Sequence, residues 1–129
     1  RPASEHPTEL ELQLLKILWD RSPQLVREIR ETLARQGRDI AHTSVITTLN
    51  TMVDKRFLKR KKQGKSFLFA PKVTREKVSQ SMLKKVVDRA FDGSTKAVLL
   101  SLFDNSNIDV SELQELRRLI DQRVREAKS

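Results

Sequence analysis

The chain has 129 residues, 37% hydrophobic and 33% charged, which suits one ordinary domain or two small ones. It carries a net charge of +9, which favours a polyanionic partner, and it has no cysteine, which excludes disulfides and thiolate metal sites. No apolar run is long enough for a membrane span and no signal-peptide pattern opens the chain. We therefore expect a soluble, intracellular protein without a membrane partner.

The positive charge is concentrated in the first part of the chain. Residues 1–72 carry 15 basic and 8 acidic side chains, whereas residues 73–129 carry 11 and 9. The sequence thus predicts two domains, 1–72 and 73–129, and we expect the first to bind the polyanion.

Three helices are predicted in the first domain. Thr8 and Glu11 form a capping-box pair, and the apolar stripe that follows predicts the first helix. The second helix is predicted from about Val26 to Gln36, and the third from about Thr43 to Arg56. Gly37 is a typical stop for the second helix.

The third helix has two different faces. Val45, Leu49 and Met52 recur at helical spacing and predict a buried face. The opposite face carries short hydroxyl and amide side chains: Thr43, Ser44, Thr47, Asn50 and Thr51. Glu and Lys are better helix formers than Thr, so a solvated face would more often carry them. Short polar side chains are suited to the major groove of DNA.

A basic hairpin follows this helix. Residues 55–65, KRFLKRKKQGK, contain seven lysines or arginines and no acid. Strands are predicted at Phe57–Leu58 and at Ser66–Ala70, around a tip at Gln63-Gly64. The hairpin is either a phosphate-binding wing or a solvated charged loop. We favour the wing because the polar helix lies beside it in sequence.

The rest of the chain is predicted to be helical. Helices are expected from Thr74 to about Asp92, over Ser94–Phe103, and from Asp109 to the end. The middle segment is apolar almost all round, so it should be buried on most sides, either by a second copy of the chain or by the first domain. We favour a two-fold homodimer. Its predicted interface is Leu83, Val87, Phe91, Leu99, Leu100, Phe103, Leu113, Leu116 and Ile120.

Signals for catalysis are missing from the sequence. His6 and His42 lie far apart, so no nucleophile–base pair and no histidine metal site is indicated. The three glycines are isolated, which removes glycine-rich phosphate loops. We therefore expect neither an enzyme nor a bound cofactor or metal.

The stretch LELQLLKILWDRSPQLVREI, continued by AHTSVITTLNTMVDKRFLKRKKQGKSFLFAP, resembles the penicillinase-repressor family of bacterial transcription factors. The matching pattern is an ILW-containing first helix, a Pro-x-x-V-R-E-I second helix, a recognition helix and a basic wing. The match is close over residues 10–71 and looser afterwards, through SELQELRRLI.

This resemblance implies a homodimeric repressor that binds a palindromic operator. By the same resemblance, Thr43, Ser44, Ile46 and Thr47 match recognition-helix contacts, although the family often carries Lys or Arg at position 46. Arg60, Lys62 and Lys65 match wing positions. Family members are typically released by proteolysis at an Asn-Phe bond, where this chain has Ser101-Leu102, so that mechanism is not carried over. A regulatory protease stays an open, unidentified partner.

The fold predicted for the chain is mainly α, with a winged helix-turn-helix of three helices and a two-stranded wing, followed by an all-helical dimerisation domain. The function predicted is a cytoplasmic, nucleoid-associated repressor that binds double-stranded operator DNA. Base edges would be read by Thr43, Ser44, Ile46, Thr47, Asn50 and Thr51. Phosphates would be bound by Lys59, Arg60, Lys61, Lys62 and Lys65. The alternative is a winged-helix adaptor that binds protein.

Overall fold

The computed structural model describes residues 6–129. The chain divides into two compact units, one that extends to Lys84 and one that comprises Lys85–Ser129. The elements, in chain order, are α1 (Glu9–Asp20), β1 (Gln24–Leu25), α2 (Val26–Arg35), α3 (His42–Asp54), β2 (Leu58–Gln63), β3 (Ser66–Pro71), α4 (Arg75–Ala90), α5 (Thr95–Asn105) and α6 (Val110–Lys128). The mainly helical fold, with three helices followed by a two-stranded ribbon, confirms the prediction.

The capping box at the start of α1 forms as predicted. The Oγ1 of Thr8 accepts a hydrogen bond from the backbone amide of Glu11, and the Glu11 carboxylate accepts one from the amide of Thr8. The same carboxylate, which is 3% exposed, pairs with the ammonium of Lys55 at 3.0 Å. One buried acid therefore caps α1 and binds the residue that follows α3.

The core of the first unit is formed by the apolar faces of its helices and by the sheet. Leu14, Leu18, Ile29, Leu33 and the inward side chains of α3 are fully buried, with Phe69 of β3 among them. At about 25 cal/mol per Å² of buried apolar surface, burying each such side chain stabilises the folded state by roughly 1.5–3 kcal/mol. The helical stripes predicted from the sequence thus form one common core.

This core continues past the domain boundary that the charge distribution predicts after Lys72. The indole of Trp19 donates a hydrogen bond to the carbonyl of Val73, and the Arg75 guanidinium lies 5.0 Å from the Trp19 ring centroid. Val78 of α4 is buried in the core. A fragment that ends at Lys72 would lose these contacts, so a fragment that keeps this core should extend to the end of the first unit.

The sheet has three antiparallel strands in the order β1-β3-β2. The predicted first wing strand, Phe57–Leu58, was too short, because β2 continues through the lysines to Gln63. Lysine has a low strand propensity, but β2 is an edge strand, where charged side chains remain in water while the backbone pairs with β3. The two-residue strand β1 was not predicted.

The start of α2 is stabilised without a side-chain cap from Leu25. The Glu28 carboxylate accepts a hydrogen bond from the Leu25 amide at 2.9 Å and pairs with Arg21 at 3.1 Å. These two partners, the Leu25 amide first, lower the pKa of Glu28. The stabilisation is therefore present above the ordinary carboxylate pKa and is lost as the pH falls through the lowered one.

The second unit has no buried side chain in any of its residues, 85–129. The predicted helices form, but the expected burial of the middle one is not found in a single chain. Large apolar side chains of α5 and α6 are between 41% and 69% exposed. No helix within the described residues is long and apolar enough to cross a membrane.

The dual role of Glu11 gives a stability prediction. Glu11→Ala should lower the free energy of unfolding by about 2–4 kcal/mol, because it removes the cap and leaves Lys55 unpaired in a largely buried position. The control is Glu9→Ala. The Glu9 side chain is 94% exposed in its pair with Arg38, so its loss should lower the free energy of unfolding by less than about 1 kcal/mol. Urea unfolding measures both, and equal effects would contradict the role assigned to Glu11.

Candidate nucleic-acid interface

The polar face of α3 points outward because the opposite face of the helix is buried in the core. Val45, Leu49 and Met52 are fully buried, which fixes the rotation of the helix about its axis. Among the predicted base readers, Thr43, Ser44, Thr47 and Thr51 are exposed and Asn50 is half-buried. Ile46 differs, because it is half-buried and packs against the core. Five of the six predicted residues thus form one polar face, and Ile46 lies at its apolar edge.

The hydroxyl groups on α3 are partly committed within the helix. The Thr47 Oγ1 donates a hydrogen bond to the Thr43 carbonyl at 2.7 Å, and the Thr48 Oγ1 donates to the Ser44 carbonyl at 2.9 Å. A threonine that has used its only hydroxyl hydrogen can still accept hydrogen bonds and offers its methyl group. Thr47 can therefore contact an amino group or a thymine methyl of DNA.

The turn between α3 and β2 has a defined geometry. The Arg56 amide donates to the Val53 carbonyl, and the Phe57 amide donates to the Met52 carbonyl at 2.9 Å. This is the Schellman pattern, with Arg56 in the left-handed conformation at φ 68° where glycine is usual. The turn leads the chain from the recognition helix directly into the wing.

The β2–β3 register separates the wing cations onto two faces. Arg60 lies opposite Phe69 and Lys62 opposite Phe67, whereas Lys61 lies opposite Leu68. Because paired residues share a face and neighbours alternate, Arg60 and Lys62 lie on the core-facing side of the sheet, and Lys59 and Lys61 lie on the other. Lys65 follows Gly64 at the tip. All five predicted phosphate-binding side chains are exposed.

Arg60 joins the wing to the recognition helix. Its Nη1 donates a hydrogen bond to the Oδ1 of Asn50. Its guanidinium carbon lies 4.7 Å from the ring centroid of Phe67. Sequence reasoning placed Asn50 and Arg60 in separate groups, since the contact between them depends on the β2–β3 register, which the sequence alone did not give.

Lys55 belongs to the basic run but differs from the wing cations. Its ammonium is paired with Glu11, and its side chain is only 14% exposed. The run thus contains at least one structural charge. The Thr8–Glu11 capping pair was visible in the sequence, but its connection to Lys55 requires the packing of α1 against α3.

The second unit contains an apolar groove between α5 and α6. It has a volume of about 820 Å³, and the predicted interface residues Leu99, Phe103, Leu116 and Ile120 line it. Leu102, Leu119 and Val124 also line the groove and were not in the predicted set. They could have been included, because they continue the apolar residues at helical spacing on α5 and α6. Leu100 and Leu113 are exposed outside the groove lining.

On α4, Leu83 is exposed in the first unit, and Val87 and Phe91 are half-buried in the second.

No group of histidine and acidic side chains within residues 6–129 is arranged to hold a metal ion. The candidate site consists of a hydroxyl- and amide-bearing face of α3 beside the cationic β2–β3 ribbon, and its side chains offer hydrogen bonds and positive charge. A model of the penicillinase repressor family matches residues 7–122.

The chain belongs to the penicillinase repressor family. It is 29% identical over 114 residues to the transcriptional regulator BlaI of Mycobacterium tuberculosis, with 87% of this chain and 80% of that protein covered. It is 20% identical to the penicillinase repressor of Bacillus licheniformis, with 89% of each chain covered. It is 21% identical to the methicillin resistance regulatory protein MecI of Mammaliicoccus sciuri, covering 88% of this chain and 91% of that protein.

A solved structure shares its fold with part of this chain. The solution structure of the DNA-binding domain of the repressor BlaI matches 58% of this chain and 90% of that domain, with a TM-score of 0.50 and 20% identity. The relatives are transcriptional regulators and not enzymes, so this member of the penicillinase repressor family is a transcriptional regulator of the repressor type.

Proposed function

We propose that this penicillinase repressor family member is a homodimeric repressor that binds a specific, palindromic double-stranded DNA operator. The observation that carries the proposal is the position of the exposed hydroxyl face of α3 directly beside the cationic wing, with Arg60 in contact with both. Repression would follow from occupation of a promoter in the bacterial nucleoid, without catalysis.

The helix face would supply sequence recognition. Thr43, Ser44, Thr47 and Thr51 carry short side chains that reach base edges without holding the helix away from the groove. We assign base reading to these residues and to Asn50. Ile46, packed at the apolar edge, is suited at most to a thymine methyl contact, because an aliphatic side chain has no hydrogen-bonding group.

The wing would supply affinity. Lys59, Lys61, Lys62 and Lys65 are exposed, and none of their ammonium groups makes a hydrogen bond or ion pair within the described part of the chain. Free ammonium groups on an extended ribbon are suited to phosphates, and their binding releases counterions from the duplex. Arg60 belongs to the same cationic set but is already engaged by Asn50 and Phe67.

The alternative, a winged-helix adaptor that binds protein, accounts less well for α3. A protein-binding helix face usually presents aromatic or large apolar anchors, and the exposed face of α3 has none. The names of the relatives also support a regulator of transcription. The adaptor remains the reading to adopt if the chain shows no preference for any duplex sequence.

The second unit would join two chains. The groove between α5 and α6 exposes Leu99, Phe103 and Ile120 by 41–51% within one chain. Exposed apolar surfaces of this kind in a small helical unit indicate an interface, and a second copy of the same groove is the occupant that a two-fold operator requires. When two DNA-binding units are linked, binding of the first to its half-site raises the effective concentration of the second unit at the other half-site.

The division of labour between helix and wing can be measured on two duplexes. Thr47→Ala should weaken binding to a selected operator by about 1–3 kcal/mol and leave binding to random duplex nearly unchanged. Lys65→Ala should weaken both similarly and flatten the slope of log affinity against log salt by roughly 0.9. Equal losses on both duplexes for Thr47→Ala would remove its base-reading role.

The dimer interface can be tested by charge insertion. Leu99→Glu or Ile120→Glu should weaken self-association by about 100-fold or more, because an unpaired charge would be buried between two chains. Gln114→Glu adds the same charge to an exposed position of α6 outside the groove and should change little. Sedimentation velocity measures association, and Trp19 fluorescence reports whether the first unit stays folded. A wild-type chain that is monomeric at micromolar concentration would contradict the dimer.

A further inference from the structure

Arg60 has surroundings that the other cations of the wing lack. Its guanidinium donates to Asn50 of the recognition helix and stacks over Phe67 of the opposite strand. Lys59, Lys61, Lys62 and Lys65 have no such contacts within the described residues. The five side chains therefore do not form one equivalent set.

The strand register explains why this position reaches the helix. Arg60 lies opposite Phe69, which is fully buried, so its side chain leaves β2 on the core-facing side of the sheet. Lys62 shares this face but lies nearer the tip of the wing, beyond the core. Arg60 is thus the cation at which the exposed wing and the packed sheet meet.

We propose that Arg60 is a positioning residue that fixes the wing against α3 and thereby contributes to base specificity, in addition to any charge it offers to phosphate. The inference rests on the proposed function, because it assumes that α3 and the wing bind one duplex together. Its content is that the helix and the wing act as a coupled unit through Asn50, Arg60 and Phe67.

The chemistry of arginine suits this role better than that of lysine. A planar guanidinium can donate in its plane to Asn50 while its face lies against the Phe67 ring. A lysine ammonium keeps the charge but lacks the planar fork and face. Each contact is exposed and weak alone, yet the two hold the same group from the helix and from the opposite strand.

The contact also orients Asn50. Its Oδ1 accepts from Arg60, so the side-chain amide is turned with its oxygen towards the wing and its Nδ2 donors away from it. A bidentate adenine contact requires both the oxygen and the nitrogen of an asparagine at the base edge. With the oxygen engaged, Asn50 is suited to donate to a base acceptor, and loss of Arg60 would release this constraint.

The test begins with the full-length wild-type chain and an operator selected from a random duplex pool. Arg60→Lys and Asn50→Ala should each lower the preference for this operator over random duplex by about tenfold, and the double variant should lose little more than either single one, because coupled residues are not additive. Arg60→Lys should keep the wild-type salt slope, because its charge is unchanged.

Lys62→Ala is the matched control on the same face of β2. It should weaken both duplexes alike and flatten the slope by roughly 0.9.

The outcomes separate this inference from the proposed function. If the wild-type chain prefers no sequence, the proposed function fails. If it prefers the operator and Arg60→Lys keeps that preference, or if the two single losses multiply in the double variant, the positioning role is overturned.

A second measurement needs no DNA. In the free protein, ¹⁵N relaxation of the backbone amides of residues 61–66 should show lower order parameters in Arg60→Lys than in wild type and no change in Lys62→Ala. Equal order parameters in wild type and Arg60→Lys would also overturn the positioning role, whatever the DNA experiment gives.

Discussion

The apolar face of α3 is the constraint on which the proposed DNA-binding surface depends. Val45, Leu49 and Met52 are fully buried, so the helix cannot rotate without exposing them, and the hydroxyl face opposite is held outward. The Glu11–Lys55 pair then fixes the end of this helix to the start of α1. A buried pair of this kind adds less net stability than its Coulomb attraction suggests, since both charges lose water. Its structural effect is to hold the end of α3 against the start of α1.

From that point the wing follows by local geometry. The Schellman turn at Arg56 sets the direction in which the chain leaves α3, and the pairing of β2 with β3 carries the lysines along an edge strand. The hydrogen bond from Arg60 to Asn50 links this strand back to α3. The α3 helix and the β2–β3 ribbon are therefore connected twice, once through the backbone turn and once through side chains.

The sequence predicted the helices well because their signals are local. The Thr8–Glu11 capping box and the Val45, Leu49, Met52 spacing each lie within a few turns of one helix. What it missed depends on pairing between elements: β1 forms only by pairing with the distant strand β3, and β2 extends through Lys59–Lys62 because Phe67–Phe69 lies alongside it in the hairpin. The same holds for the site, where the polar face was readable but the pairing of Lys55 and the contact of Arg60 were not.

In the proposed complex, two copies of α3 and its wing are joined by the second units of two chains on one symmetric operator. The most direct measurement is selection of sequences from a random duplex pool with the full-length chain, followed by native mass spectrometry of the complex. We predict an inverted repeat, with half-site centres about 10 bp or a multiple of this apart, bound by two chains. Enrichment of no sequence, or of a single unrepeated site bound by one chain, would contradict the proposed dimeric complex.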